Sequence, residues 1–225
     1  MKENEKVQSP KRALVLVSGG LDSSTALYWA NSQTYDLYVL SIDYYLRPEK
    51  EKDAVKYLID SINAELIEIN LPFLKEIDDL RDFNYPLQNL KDAPDGYIPM
   101  KNLIFYSIAA YYCEIYDIDV LIGGQILSDS KLYPDASMKY FQTIKSLIDK
   151  GGNSFRNHHR EIKLKFPLKN KSKEEVIEMA IELKVPLSHT WSCYENEKKP
   201  CGECKGCMER KTAFQKFGET DPLFQ

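Results

Sequence analysis

Short, unbroken apolar runs alternate with longer segments of helical period along most of the chain. Ala13–Val17 (ALVLV) is continuous and apolar, and Leu37–Ile42 (LYVLSI) nearly so. Glu65–Ile69, Asp119–Ile122 and Ile162–Phe166 are further short runs of strand character. Between them the spacing predicts helices over Ser23–Asn31, Glu49–Ile62, Lys101–Tyr116, Met138–Ile148 and Lys173–Leu183. Continuous apolar strands separated by helices indicate a parallel sheet covered on both faces. The expected class is therefore α/β, an open, doubly wound, mostly parallel five-stranded sheet.

Two stretches break the alternation. Residues 71–99 contain three prolines and a glycine within FNYPLQNLKDAPDGYIP, which predicts a long functional loop with about one helical turn. Gly123–Ser137 is a second loop, entered directly from a strand end. In open parallel sheets ligands bind beyond the carboxyl ends of the strands, where the strand order reverses. The chemistry is thus expected on Ser18–Asp22, Asp43–Arg47, Pro94–Asn102 and Gly123–Asp135. The polar residues 1–11 read as a disordered lead, 12–185 as the main domain, and 186–225 as a small element ending in a short helix.

Composition narrows the class only slightly. The chain has 225 residues, 43% hydrophobic and 28% charged, which suits one large soluble domain with a small appendage. A net charge of −4 and a pI near 5.5 give no general drive toward nucleic acid or membrane surfaces. The basic segment Arg156–Lys173 reads as a solvated face or the neighbour of an anionic ligand. The N-terminus MKENEKVQSPKR has no apolar core of a signal peptide, and no apolar run approaches the roughly 20 residues that span a bilayer. A cytoplasmic location is the expectation.

The stretch LVLVSGGLDSSTALYWA (Leu14–Ala30) carries the first chemical signal. A buried strand stops at Ser18-Gly19-Gly20, and an acid and two hydroxyls follow before a helix starts. Glycines let backbone N–H groups approach an anion closely, and a helix N-terminus turns its partial positive charge toward the same point. Ser18, Ser23 and Ser24 add hydroxyl donors. Asp22 would repel a bare phosphate, so its presence points to a bridging Mg²⁺. A tight turn with an Asp or Ser cap is the plain alternative. It explains neither the serine before the glycines nor the second serine after the aspartate.

The second signal is cysteine spacing. Cys193, Cys201, Cys204 and Cys207 follow C-x7-C-x2-C-x2-C. In a reducing compartment such crowding indicates metal rather than disulfides. Four thiolates close a tetrahedral site with no open position, hence a structural role. Zn²⁺ fits best, an iron–sulfur cluster also takes four cysteines, and a reactive persulfide-carrying thiol is a third reading. His158, His159 and His189 are given no metal role, and Cys113 reads as a small core residue.

These residues carry a family resemblance. SGGLDSS resembles the SGGxDS pyrophosphate loop of the N-type ATP pyrophosphatases, whose members adenylate a substrate oxygen and release pyrophosphate. Within that group TWSCYENEKKPCGECKGCMERKTAF (Thr190–Phe214), GYIPMKN (Gly96–Asn102) and YPD (Tyr133–Asp135) resemble the 7-cyano-7-deazaguanine synthase family. The resemblance implies an adenine nucleotide alpha hydrolase-like fold with a zinc-binding C-terminal element. It implies ATP, Mg²⁺ and Zn²⁺ as cofactors, a carboxylated deazapurine and ammonia as small-molecule substrates, and a homodimer. The expected reaction converts 7-carboxy-7-deazaguanine to the nitrile through adenylated intermediates. Val17, Ser18, Gly19, Gly20, Leu21, Asp22, Ser23, Ser24, Thr25 and Asp43 would hold the nucleotide, with Asp22 and Lys101 catalytic. Arg47, Tyr97, Asn102, Asp129, Tyr133 and Asp135 would meet the acceptor, and the four cysteines the metal. Lys173 is a weaker candidate for phosphate, equally readable as a solvated helix residue, and Asp135 could instead cap a helix.

Departures from the family pattern cluster in the acceptor loops. Pro48 stands where the family has His, Met100 where it has a smaller residue, Lys101 where it has Arg, Gln125 where it has Asn, and Ala136-Ser137 where it has Cys-Arg. A Lys point charge does not replace a bidentate Arg. The ATP and zinc parts are intact, so a paralogue that amidates the acid or joins it to another amine is the principal alternative. A tRNA thiolase and a nucleotide-binding module without turnover are the others.

Overall fold

The computed structural model describes residues 10–83, 85–94, 96–152, 161–195 and 198–225. Five strands form one sheet: β1 (Arg12–Leu16), β2 (Asp36–Tyr44), β3 (Glu65–Leu71), β4 (Val120–Ile122) and β5 (Lys163–Lys165). Their spatial order is β3-β2-β1-β4-β5 and every pairing is parallel. The helices are α1 (Leu21–Ser32), α2 (Glu49–Ile62), α3 (Ile77–Asp82), α4 (Lys101–Ile115), α5 (Asp129–Leu132), α6 (Met138–Gly152), α7 (Lys173–Glu182) and α8 (Lys205–Phe217). The predicted lead and the histidine pair His158–His159 lie almost wholly or wholly outside the described residues. Among the described residues no helix is long and apolar enough to cross a membrane.

Strand alternation explains why both faces are covered. Ala13 and Val15 point to one side of β1 and Leu14 to the other, as the period of two requires. On the first side they join Val39, Val120 and Ile122 and meet Ala26 and Leu27 of α1, Leu58 of α2, Val176 of α7 and Phe214 of α8. On the second side Leu14, Leu40 and Leu121 meet Tyr106 and Ala109 of α4 and Phe141 and Ile144 of α6. Fully burying each of these large side chains stabilises the fold by about 1.5–3 kcal/mol.

The chain runs from β1 outward to β2 and β3, then crosses back to place β4 on the opposite side of β1. The strand order therefore reverses between β1 and β4, and the loops after these two strands open onto one crevice. Helix α1 starts at Leu21, two residues before the predicted start. Gly20 occupies the N-cap and its carbonyl accepts the Ser24 N–H at 3.0 Å. Asp22 and Ser23 thus sit in the first helical turn rather than in a free loop. Residues 71–99 hold α3 and a 3₁₀ turn at Leu87–Leu90, and the loop after β4 holds α5.

The C-terminal segment shares the main core through Ala213 and Phe214. It is pinned by Arg210, whose side chain is 1% exposed. Arg210 Nε and Nη2 donate to the two Asp221 carboxylate oxygens at 2.8 and 3.0 Å, Nη1 to Thr190 Oγ1 at 2.7 Å, and Nη2 to the Leu187 carbonyl at 2.9 Å.

Candidate active site and metal centre

The loop after β1 owes its shape to Gly19. Its φ is +91°, and a Cβ there would lie 2.5 Å from the Glu51 carbonyl oxygen of α2. No side chain fits, so the backbone can turn tightly against α2. The hydroxyls then knit the loop to the helix. Ser18 N–H donates to Ser23 Oγ at 3.2 Å, and Ser24 Oγ donates to the Gly20 carbonyl at 2.7 Å. Thr25 Oγ1 donates to the Leu21 carbonyl at 2.8 Å. Leu21, Asp22 and Ser23 open the helix, so their N–H groups lack intrahelical acceptors and are offered to a ligand.

The loop after β4 closes on the same point. A Cβ at Gly124 would stand 3.0 Å from Ser23 Cα and 3.1 Å from Ser23 N, so only glycine lets the two loops meet. Between them and α4 lies a cavity of about 400 Å³. Of the expected nucleotide contacts Val17, Ser18, Asp22 and Ser23 line it. Leu21, Ser24 and Thr25 are buried, and they, like Gly19 and Gly20, do not line it. Asp43 lies outside, where its carboxylate accepts from Lys52 Nζ at 3.0 Å.

The expected acceptor residues divide. Tyr97, Asn102, Asp129, Tyr133 and Asp135 all line the cavity, with Lys101. The rings of Tyr97 and Tyr133 are nearly parallel, 10° apart with centroids 6.3 Å distant. Asp135 Oδ2 accepts the backbone N–H of Asn102 at 3.2 Å, tying the Tyr-Pro-Asp loop to the first turn of α4. Asp129 Oδ2 accepts the Ile126 N–H at 2.9 Å. Burial raises the Asp129 pKa above the ordinary carboxylate value, against the opposing pull of that hydrogen bond.

Arg47 is placed differently from the expectation. It is 4% exposed and stands behind the cavity wall. Its Nη1 donates to Ser41 Oγ and the Ile42 carbonyl at 3.0 and 2.9 Å, Nη2 to the Ser18 carbonyl at 2.7 Å, and Nε to Glu51 Oε2 at 3.0 Å. Arg47 therefore fixes the loop after β1 from behind. Sequence reading places a guanidinium on a loop but not the direction in which it turns.

Lys101 and Lys173 supply the positive charge. Lys101 opens α4 directly after Met100, a non-glycine residue held at φ +57°. Its Nζ lies 5.6 Å from the ring centroids of both Tyr44 and Phe105. Lys173 Nζ sits 2.8 and 2.7 Å from the two Asp22 carboxylate oxygens. Lys173 follows Ser172, which caps α7 through a reciprocal box with Glu175. Asp22 and Asp129 interact electrostatically, and a hard carboxylate such as Asp22 is of the type that can hold Mg²⁺.

Cavity residues that no motif singled out are Glu51, Glu76, Tyr44, Phe105, Tyr106 and Tyr194. Glu76 follows β3 in the short mixed stretch PFLKEIDDL, which has no motif, so the sequence carries no signal for it. Tyr194 directly follows Cys193 in the SCY stretch, which was the available hint.

The four cysteines converge. Their Sγ atoms all lie within 4.8 Å of one another, with Cys201–Cys207 and Cys193–Cys204 each at 4.0 Å. Tetrahedral zinc with bonds of about 2.3 Å places its sulfurs about 3.8 Å apart, so the donor set fits. Cys201 Sγ accepts N–H groups of Cys204 at 3.3 Å and Glu203 at 3.5 Å, which holds its thiol down to about 7. Burial pushes Cys193 and Cys207 upward. Trp191 packs on Cys193 and Cys207, and its backbone N–H donates to the Gly19 carbonyl at 2.8 Å. The cysteine cluster thereby braces the loop after β1.

A family model described as queuosine biosynthesis protein QueC matches residues 12–218. The chain is similar to the 7-cyano-7-deazaguanine synthase of a Nitratiruptor species, 36% identical over 218 residues, covering 94% of this chain and 97% of the relative. It is also similar to the 7-cyano-7-deazaguanine synthase of Campylobacter hominis, 35% identical over 220 residues and covering 94% and 98%. Among solved structures the NMN synthetase of Francisella tularensis shares the fold, with TM-score 0.51 at 18% identity, over 94% of this chain and 79% of that one.

Proposed function

Since the chain belongs to the queuosine biosynthesis protein QueC family, we propose that it is an ATP-dependent ligase converting 7-carboxy-7-deazaguanine and ammonia to 7-cyano-7-deazaguanine. The observation that carries this reading is a single cavity in which a glycine–serine phosphate loop faces Lys101 and the carboxylates of Asp129 and Asp135. The N–H groups of the loop and first turn of α1 would receive the β- and γ-phosphates, and Asp22 would hold Mg²⁺, which would neutralise phosphate charge. Lys101 meets the substrate carboxylate and the α-phosphate, neutralising charge that grows as the carboxylate oxygen attacks phosphorus. Asp129 and Asp135 accept from the guanidine-like edge of the base, which presents parallel N–H donors, while Tyr97 and Tyr133 contact its ring.

The first cycle yields an acyl adenylate that ammonia converts to the amide. The second activates the amide oxygen, and loss of AMP leaves the nitrile. Zn²⁺ at Cys193, Cys201, Cys204 and Cys207 has a structural role, and the family supports a cytoplasmic homodimer as the working form. Met100, Gln125 and Ala136 depart from the family pattern at or beside the cavity and favour a second reading, a paralogue whose product is the amide. Mass spectrometry after incubation with ATP, ammonium and the acid tests both. Nitrile with AMP and pyrophosphate is expected, amide alone supports the second reading, and no product contradicts both.

A further inference from the structure

The cavity contains an acid that the phosphate and base subsites leave unused. Glu76 lies on the segment between β3 and α3, and its carboxylate faces the cavity beside Gly96, where a Cβ would come within 3.8 Å of Oε2. Two bonds fix this placement. Ile77 N–H donates to the Tyr97 carbonyl at 2.8 Å, and Gly96 N–H donates to Asp78 Oδ2 at 3.0 Å. Among the described residues no hydrogen bond or ion pair within 4.0 Å reaches the Glu76 carboxylate. The other cavity acids are engaged: Glu51 with Arg47, Asp22 with Lys173, Asp129 with Ile126 and Asp135 with Asn102.

The surroundings of Glu76 are both aromatic and acidic. Tyr44 and Phe105 line the same space, and both rings already lie within cation–π range of the Lys101 ammonium group. Burial raises the Glu76 pKa; Lys101 opposes the shift, Asp79 and Asp78 add to it, and Glu51 faces Glu76 from α2. A carboxylate raised in this way is a better proton acceptor than one in water.

Resting on the acyl adenylate proposed above, we infer that Glu76 is the ammonia-side base: it binds incoming ammonium and takes one proton from it. Ammonium is protonated at neutral pH and has no lone pair to attack with. Transfer of one N–H proton to a Glu76 oxygen leaves ammonia and a neutral carboxylic acid. The nitrogen lone pair then forms the C–N bond to the acyl carbon, and the C–O bond to the phosphate breaks. AMP leaves with the electron pair and a second nitrogen proton passes to solvent, giving the amide.

Hydroxylamine tests this, because it is largely uncharged at neutral pH and attacks without a base. The measurements are amide formation from ammonium, hydroxamate formation from hydroxylamine, and acid-dependent exchange of pyrophosphate into ATP, for the intact protein and for Glu76→Gln. The expected result is amide formation lowered about 10²–10⁴-fold. Hydroxamate formation and exchange stay within about threefold, which also shows that the variant is folded. Equal losses with both nucleophiles, or no loss with either, overturn the inference. Wild-type protein that catalyses no acid-dependent exchange overturns the ligase reading and this inference with it, whereas normal exchange with equal nucleophile effects overturns the inference alone.

Discussion

Lys173 Nζ grips both carboxylate oxygens of Asp22, at 2.8 and 2.7 Å, across 151 residues of sequence. The contact joins the capped start of α7 to the first turn of α1 and puts an ammonium group beside the loop after β1. Both side chains are 27% exposed, so the pair itself adds little to stability. Lys173→Ala is expected to shift the unfolding free energy by less than about 1 kcal/mol. It should weaken Mg-ATP binding about tenfold, the loss of charge-assisted bonds worth about 1–2 kcal/mol. Titration calorimetry checks this, and unchanged affinity would return Lys173 to the role of a surface residue.

Removal of the metal should reach the nucleotide. Trp191 touches the cysteine knuckle on one side and bonds Gly19 on the other. Elemental analysis is expected to give one zinc per chain, and Cys204→Ser or a strong chelator to lower it. The stripped protein should show altered Trp191 emission, since Trp191 Nε1 donates to the Cys193 carbonyl at 2.9 Å, and a raised KM for ATP. An iron–sulfur chromophore, or a stripped protein with unchanged ATP affinity, would contradict this picture.

The Arg210–Asp221 pair is a different kind of ion pair from Lys173–Asp22. Its side chains are 1% and 4% exposed, so removal of one partner strands a buried charge. Arg210→Ala should cost about 3–5 kcal/mol, read as a lower urea midpoint. Arg210→Met combined with Asp221→Leu should recover part of that loss, because no charge is then left unpaired.

How much of this was legible beforehand follows from what each residue contributes to the pattern. β1, β2 and β4 were readable because both faces of the sheet are buried there, which makes each a nearly continuous apolar run. The edge strands β3 (ELIEINL) and β5 (KLK) carry charged residues and showed only as short runs of strand character. Helices α3 and α5 escaped because six and four residues are too few to establish a period. The glycine–serine loop and the convergence of the four cysteines were readable because each is local in sequence. Glu76, the inward turn of Arg47 and the Lys173–Asp22 contact depend on chain segments that only the fold brings together.

Asp129 gives a pH signature. Burial raises its pKa, so folding disfavours the charged carboxylate relative to the unfolded chain. The favourable contribution is full below the ordinary aspartate value of about 3.9 and is lost as pH rises through the raised folded value. Relative to Asp129→Asn, the wild type should lose stability as pH rises above about 4. Urea midpoints of both proteins across that range check the sign; parallel curves would contradict it.

The central claim is that this cavity activates a carboxylate with ATP. Its most direct test is exchange of labelled pyrophosphate into ATP, measured with and without 7-carboxy-7-deazaguanine and with ammonia left out. Exchange that requires the acid, and falls at least about 100-fold in Asp22→Ala, is the predicted result. Exchange that ignores the acid, or survives Asp22→Ala, would contradict the account.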